Sequence, residues 1–431
     1  MARTLLLADI GPLRESPDYR RIWIGQMLSG LGNQMTAATV PIQVYALTHS
    51  SFAVGLIGLA LAVPLITFGL FGGHVADRVD RRRLVLLTTV SLSIVSVVFA
   101  AQALSDLRSL WLLYVLTTIQ AALSAMDTLT RRTFPPWLLP PRQMPAAAAL
   151  NQLSFQSCFV GGPLLAGLVI SGTGVQGVYV IDVLSFTVSI YSVLRLPSKP
   201  ARAAPERSGS GLLATMRLLR SHLALRMVLL INIITAVFGI PQSLFPMLAD
   251  VRFHSGAGVV GLLLAAPAGG GLVISLLSGW VSNVRRHGLA IVVAAGVWGA
   301  AIACFGLAGH LWLAVLSLSI GGAADAVGGV FRSAIMQIDT PDSVRGAVNG
   351  IAVAVGGGSP RLGNLQAGVV ETLTSPVVST MSNGLACVAG VGLLVLIAPA
   401  FLRHGLAEGV WTPTSTTVAQ RPGSDDIRRT S

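Results

Sequence analysis

The feature that most constrains this sequence is a series of apolar runs, each about 20 residues long, that recurs along the whole chain. A helix of that length crosses the hydrocarbon core of a bilayer and satisfies its own backbone hydrogen bonds there. The strands of a membrane β-barrel would read as shorter segments of alternating polarity, a pattern that the sequence lacks. Charged residues make up 11% of the chain, whereas a soluble protein has about a quarter. The sequence therefore predicts an all-α integral membrane protein.

We place twelve transmembrane helices on these runs, and an even number puts both termini on the same side of the membrane. Their predicted limits are 20–46, 52–76, 84–104, 109–130, 146–170, 177–196, 227–250, 258–282, 288–308, 311–336, 347–370 and 378–402.

The longest connection between runs follows the sixth one and indicates that the chain divides there. The stretch "LPSKPARAAPERSGSG" has the composition of a solvated linker, and "LLATMRLLRSHLALR" after it has basic residues at helical spacing. A faint repeat also supports two halves, because "GGHVADRV" ends the second run and "SGWVSNVR" ends the eighth. We predict a six-helix bundle at 1–196, a cytoplasmic linker with an interfacial helix at 197–226, a second six-helix bundle at 227–402 and a disordered cytoplasmic tail at 403–431.

The distribution of basic residues predicts the orientation. The net charge of +12 would suggest nucleic acid as the partner of a soluble protein, but in a membrane protein it is a topology signal. With the N-terminus in the cytoplasm, all of the 29 Lys and Arg residues except Arg108, Arg252 and Arg361 fall in cytoplasmic loops and tails or at the cytoplasmic ends of the predicted helices. We therefore expect a multi-pass cell-membrane protein with both termini in the cytoplasm and no nucleic-acid partner.

A dense cluster of charges, "GGHVADRVDRRR", lies between the second and third runs. Its pattern resembles the signature loop of the major facilitator superfamily, although an aspartate stands where that family commonly has glycine. The residues concerned are Gly73, Asp77, Arg78, Asp80, Arg81 and Arg82. The resemblance implies two six-helix bundles that move by alternating access. It also implies that this loop is an inner gate that latches the bundles.

Two readings of the gate charges remain open. The carboxylate of Asp77 can accept hydrogen bonds from the free N–H groups at the start of another helix. The resemblance implies that this is the start of the eleventh helix, near Arg345. Asp127 is expected to be the gate partner of Arg78 or Arg81. Alternatively, the arginines only anchor the topology, or Asp127 carries a proton.

Further stretches resemble the branch of the superfamily that exports siderophores of the enterobactin type and drugs. They are "SGLGNQMTAATVPIQVYALTHSSFAVGL", "DTLTRR" and "LFPMLADVRF". The fifth run also contains "GGPLLAG", which is similar to an antiporter signature of the superfamily. Its Gly162, Pro163 and Gly167 let helices approach and bend, so we expect them to pack helices.

Polar side chains within the runs are candidates for substrate binding or proton coupling, because a buried charge is costly. Asp325 and Arg361 both fall near the predicted midplane, where they form either an ion pair inside the second bundle or a site facing the cavity. Asn33 and Gln34 are candidates for substrate contact, with helix packing as the alternative. We expect Asp182 to lie shallowly, near the outer end of the sixth helix, and to be solvated.

These observations predict a secondary active transporter that exports an amphiphilic small molecule, of the enterobactin siderophore type, by proton-coupled alternating access. The alternative is a multidrug or macrolide efflux pump; an importer or a membrane protein without transport activity also stays open. The sequence has no G-x-x-x-x-G-K-[ST] motif, and its histidines are scattered, so it predicts no ATP site, enzyme activity, cofactor or metal. The expected partners are the substrate, protons and the lipid bilayer, and the resemblance implies a monomer.

Overall fold

The computed structural model describes residues 10–76, 81–131, 134–196, 221–276, 284–340 and 345–404. Within those ranges every regular element is helical. The long helices are α1 (Pro17–Thr48), α2 (Ser51–Ala76), α3 (Arg81–Leu104), α4 (Leu110–Arg131), α5 (Met144–Thr173), α6 (Val175–Leu194), α7 (Leu223–Val237), α8 (Ala257–Leu276), α9 (His287–Leu307), α10 (Leu311–Ile338), α11 (Arg345–Leu373) and α12 (Pro376–Ile397).

The predicted all-α membrane architecture is confirmed. In the described part of the chain, nine helical segments are long and apolar enough to cross a membrane. Helices α1 and α11, which are more polar, are not among them, and neither is α2, of which Ser51–Pro64 counts as a shorter apolar segment. The count of twelve spans therefore stays a prediction. The proposed interfacial helix and the disordered tail fall mainly on 197–220 and 405–431, which lie outside the described residues. Leu223–Arg226, the end of that predicted helix, instead forms the first turn of α7.

The seventh predicted span, 227–250, is interrupted in the structure. Helix α7 ends at Val237 after 15 residues, about 22 Å, and the chain resumes with a 3₁₀ turn at Gln242–Leu244. Gly239 and Pro241 lie in the gap, where proline removes a hydrogen-bond donor and glycine adapts to the bend. The indole Nε1 of Trp298 in α9 donates to the carbonyl of Thr235 (3.0 Å), one of those that the break leaves free. The span is therefore two pieces joined by irregular backbone.

Each half of the chain has its own apolar core. In the first half, α1 packs against α5 and α6, and α3 lies between α4 and α6. The buried ring of Phe99 stacks on that of Tyr179, with 5.2 Å between the ring centroids. In the second half, α7, α9, α10 and α12 share one apolar cluster, which includes Met227, Ile231 and Phe331. The two halves are thus separately packed units, as α-helical bundles require.

The halves meet along two seams, both on the side of the membrane opposite to the start of α1. The first seam joins α2 to α11: a Cβ built on Gly58 would come within 2.5 Å of the Arg361 carbonyl oxygen. The second joins α5 to α8, where a Cβ on Gly167 would lie 2.9 Å from the Ala257 carbonyl oxygen. Only glycine permits backbones to approach this closely, so the opposite side is sealed by direct backbone packing.

The halves also correspond helix by helix. Helices α4 and α10 both begin with Leu-Trp-Leu, and Arg131 and Arg332 each lie 21 residues after the first leucine. Likewise, Asp182 lies seven residues after the start of α6, and Asn383 seven residues after the start of α12. These pairs occupy matching places in the two bundles.

Candidate functional site

The proposed inner gate is described only at its edges. Asp77, Arg78 and Asp80 lie outside the described residues, as does the side chain of Arg81, so their role stays a prediction. Gly73 belongs to the last turn of α2. Arg82 lies in the first turn of α3, and its Nη2 donates to the carbonyl oxygen of Leu194 at the end of α6 (2.8 Å). This arginine therefore binds the carbonyl end of a helix within its own half, where cations are favoured.

Asp127 forms the centre of a polar network inside the first half. One carboxylate oxygen accepts from Nε of Arg131, one turn along α4 (2.6 Å), and the other accepts from Thr88 Oγ1 of α3 (2.9 Å). Arg131 also donates to Thr89 Oγ1 (2.8 Å) and to Ser189 Oγ of α6 (3.1 Å). The network ties α3, α4 and α6 together; pairing with Arg78 or Arg81 stays a prediction.

Asp325 and Arg361 do not form the ion pair that the sequence suggested. The carboxylate of Asp325 accepts from Nη2 of Arg332, two turns further along α10 (2.7 Å). Residues seven apart lie nearly on one face of a helix, so a long arginine side chain reaches back across the intervening Gly328. The Asp325 side chain is 46% exposed, whereas that of Asp127 is 15% exposed.

Arg361 lies at the first seam, sixteen residues from the start of α11 and twelve from its end. Its backbone packs on Gly58 of α2, so it belongs to the surface where the two halves meet. Its guanidinium has neither a hydrogen-bond nor an ion-pair partner among the described residues, and the residue is only partly exposed. An unpaired cation near the middle of a membrane helix is costly unless a counter-ion joins it. This place therefore suits an anionic group.

The polar candidates in α1 face neighbouring helices of the first half. The Oδ1 atom of Asn33 accepts from Nε2 of Gln120 in α4 (2.9 Å). Gln34 lies against α5, where a Cβ on Gly162 would come within 2.5 Å of the Gln34 Cβ. Both residues are half-buried. Asn33 therefore has a partner within the bundle, which favours a packing role, and its contact with substrate stays a prediction.

The residues of the glycine–proline motif in α5 lie at helix contacts. Gly162 packs against α1, while the carbonyl oxygen of Pro163 meets Gly261 and Gly167 meets Gly258, both in α8. The motif thus joins α5 to its own bundle on one side and to the second seam on the other.

Asp182 is not solvated, contrary to the expectation from its depth. It is fully buried in α6, and its Oδ2 accepts from Ser96 Oγ of α3 (2.6 Å) and Thr36 Oγ1 of α1 (3.0 Å). Its Oδ1 has no hydrogen-bond partner in the described structure. Distance from a helix end does not show which face carries a residue, and this face points into the bundle. The sequence signal for its burial was the helical spacing of Asp182 from Tyr179 and Phe186, which puts all three on one face of α6; the latter two are buried.

The break in α7 was also missed, although "GIPQ" contained the signal. The broken end lies beside the first seam. Ser243 donates through Oγ to the carbonyl oxygen of Asn364 (2.8 Å) and through its backbone N–H to the Asn364 side chain (3.4 Å). Gly363 of α11 packs directly on the carbonyl oxygens of Ala236 and Val237. Irregular backbone of this kind occurs inside membranes where protein or a cavity covers it.

Metal ligands do not gather in the described part of the chain: no group of three His, Cys, Asp or Glu side chains there could hold an ion.

Comparison with known proteins agrees with this architecture. A family model described as "Transmembrane secretion effector" matches residues 8–408. The enterobactin exporter EntS of Citrobacter koseri is 27% identical over 409 residues, which cover 94% of this chain and 97% of that protein. Among solved structures, a POT family transporter in complex with 5-aminolevulinic acid aligns with a TM-score of 0.70 at 11% identity, over 90% of this chain and 97% of its own. A bacterial homologue of the lysosomal transporter Spinster, inward-facing and unoccupied, aligns with a TM-score of 0.65 at 15% identity, over 93% and 99%.

Proposed function

Because this chain belongs to the transmembrane secretion effector family, and so to the transporters of the major facilitator superfamily, we propose that it exports an anionic, amphiphilic small molecule of the enterobactin type. The observation that carries the proposal is the likeness to an enterobactin exporter over nearly the full length of both chains. We propose export as the direction of transport because that relative is an exporter.

The sealed side supports alternating access as the mechanism. Both seams join the halves on the opposite side of the membrane by contacts between backbones. Rocking the halves apart at these seams, and together at the gate loop, would move a central site from one side to the other. With both termini in the cytoplasm, as the basic residues predict, this conformation takes up its cargo from the cytoplasm.

Arg361 supports an anionic cargo. It lies on the seam, between the halves, and its guanidinium has no partner within the described structure. Catecholate oxygens would supply the missing acceptors, and guanidinium binds such planar, bidentate groups well. Opening the seam would then weaken the contact and release the cargo. The energy source in this proposal is the proton gradient.

Secretion from whole cells tests the proposal. An iron-starved bacterium that lacks its own siderophore exporter would express the intact protein, Arg361→Gln or Arg361→Lys, each matched for membrane level. Extracellular enterobactin would be quantified by mass spectrometry. We expect the intact protein to restore secretion, Arg361→Gln to lose most of it, and Arg361→Lys to retain part because the charge remains.

Two results would change this conclusion. No secretion by the intact protein, together with resistance to macrolides or dyes, would replace the siderophore by a drug as the cargo. Full secretion by Arg361→Gln would leave export in place and remove Arg361 from the cargo site. Arg252→Gln is the matched control, because that guanidinium already donates to the carbonyl oxygen of Gly306 (2.7 Å).

A further inference from the structure

Among the described residues, Asp182 is the most deeply buried acid that the export mechanism has not used. It lies in the core of the first half, between α1, α3 and α6, with no exposed surface. Two hydroxyl groups donate to Oδ2, whereas Oδ1 has no partner in the described structure and faces Gly32 of α1. A Cβ on Gly32 would come within 2.5 Å of that oxygen, so no side chain separates the acid from the α1 backbone.

Within the described part of the chain, Asp182 has no ion-pair partner that would neutralise a carboxylate. The described groups on α1 and α3 that contact the acid, Thr36 and Ser96, are neutral hydroxyls. On α6 itself, Tyr179 lies one turn away and donates its own hydroxyl to Gln43. Arg131 of α4, already paired with Asp127, reaches α6 only at Ser189, about 10 Å further along the helix.

An isolated carboxylate is far more costly in such a place than a neutral acid. Transfer of an unpaired charge into a low-dielectric interior costs several kcal/mol or more, and groups so placed take up a proton instead. Because Oδ2 already accepts two hydrogen bonds, a bound proton would be carried on Oδ1, next to the α1 backbone at Gly32. Ionisation would require water or a rearrangement of α1 at Gly32.

We propose that Asp182 is the residue that binds the coupling proton: it takes the proton up while the seams are open, and it releases the proton to the cytoplasm from the conformation described here, when α1 shifts away from α6 and cargo binds. This rests on the proposed proton-driven export and assigns the proton a site in the first half, away from the cargo at Arg361. The route for such a shift is continuous: α1 contacts Asp182 at Gly32 and Thr36, and it contacts α5 at Gly162. Helix α5 in turn forms the second seam.

The second half supplies a natural control. Asn383 occupies the matching place in α12, equally buried at 1% exposure, and is a neutral amide. The fold therefore accommodates an asparagine here, and Asp182→Asn should fold. That variant keeps the shape and the hydrogen-bond acceptor but cannot release a proton.

Infrared difference spectroscopy of the purified, full-length protein tests proton binding without any substrate. Raising the pH should remove a carbonyl band of a buried protonated acid from the wild type, and this change should be missing in Asp182→Asn. The proposal is overturned if the band is unaffected by the substitution, or if it persists at every pH at which the protein stays folded.

Transport in proteoliposomes tests coupling, with enterobactin as the probe. We expect Asp182→Asn to lose the stimulation of enterobactin transport by a proton gradient. Retained stimulation would show that Asp182 is only structural. If the wild type does not move enterobactin, the export proposal fails, and the infrared result still decides whether Asp182 binds and releases a proton.

Discussion

Each half of the molecule has an arginine with little exposed surface in the fourth helix of its bundle, and the two arginines are paired in different ways. In the first half Arg131 pairs with Asp127 one turn away and bonds to two further helices, so three helices are tied together. In the second half glycine replaces that aspartate, and Arg332 reaches Asp325 two turns away. Repeated folds can therefore keep a cation and change its partner. The first half is cross-linked by polar contacts where the second has a single pair.

Removing Asp127 or Asp325 should give the largest difference in stability between the two halves. Asp127→Ala leaves the Arg131 side chain, 4% exposed, without its counter-ion, and we expect a loss of about 3–5 kcal/mol in the free energy of unfolding. Asp325→Ala also leaves an arginine, Arg332 at 13% exposure, without its partner, but the removed acid is itself 46% exposed, and we expect a smaller loss of about 1–3 kcal/mol. Denaturant unfolding of both variants in detergent micelles would measure the difference. Equal losses would contradict the distinction drawn between the halves.

The two seams offer a second comparison. Gly55 and Gly261 each lie four residues after the start of α2 and α8, and each faces a backbone carbonyl of the other half. A methyl group at Gly55 would lie 3.0 Å from the Asn364 oxygen, and at Gly261 it would overlap the Pro163 oxygen more severely. We expect Gly261→Ala to disfavour the sealed state by about 1–3 kcal/mol and Gly55→Ala by less.

Spin-label distances across the opposite side of the membrane would measure how far each seam opens. Gly172→Ala is the control, because nothing lies within 4 Å of its Cβ position. A larger opening in Gly55→Ala than in Gly261→Ala would show that the first seam carries the seal.

A third difference between the halves is that the first has a buried acid, Asp182, where the second has a buried amide, Asn383. Asn383→Asp places a carboxyl where the present amide has no partner among the described residues. We expect a loss of about 1–3 kcal/mol that grows as the pH rises, since the ionised form is the costly one. Unfolding at two pH values measures it. A loss that does not depend on pH would show that water or a cation reaches this site.

The smallest effect should come from rebuilding the first half's ion pair in the second. In an Asp325→Ala background, Gly328→Asp offers Arg332 a carboxylate one turn away; the new Cβ would lie 3.3 Å from Arg332 Nη1. We expect a gain of about 0.5–1.5 kcal/mol over Gly328→Ala in the same background, which corrects for the helix propensity of glycine. No gain would indicate that Ala294, at 3.4 Å, blocks the pair.

The limits of most helices could be predicted to within a few residues from the lengths of the runs: 20–46 became Pro17–Thr48, and 311–336 became Leu311–Ile338. Partners were harder to predict. The Asp325–Arg332 pair depends on the reach of one side chain across a glycine, and the burial of Asp182 depends on which helix face meets α1. The break after Val237 was overlooked because apolar stretches continue on both sides of it, although glycine and proline mark the place.

That break has a consequence for the order in which the molecule assembles. The carbonyl of Thr235 is covered by Trp298, and Ser243 is held by Asn364, so the partners of the interrupted span are synthesised some 60 and 120 residues after it. Lipid cannot satisfy these backbone groups. The first bundle can close while the ribosome is still elongating, but the seventh span reaches its final shape only once the eleventh has entered the membrane. Maturation of the second bundle is therefore a late event, and truncation before Asn364 should leave a span that quality-control proteases recognise as unfinished.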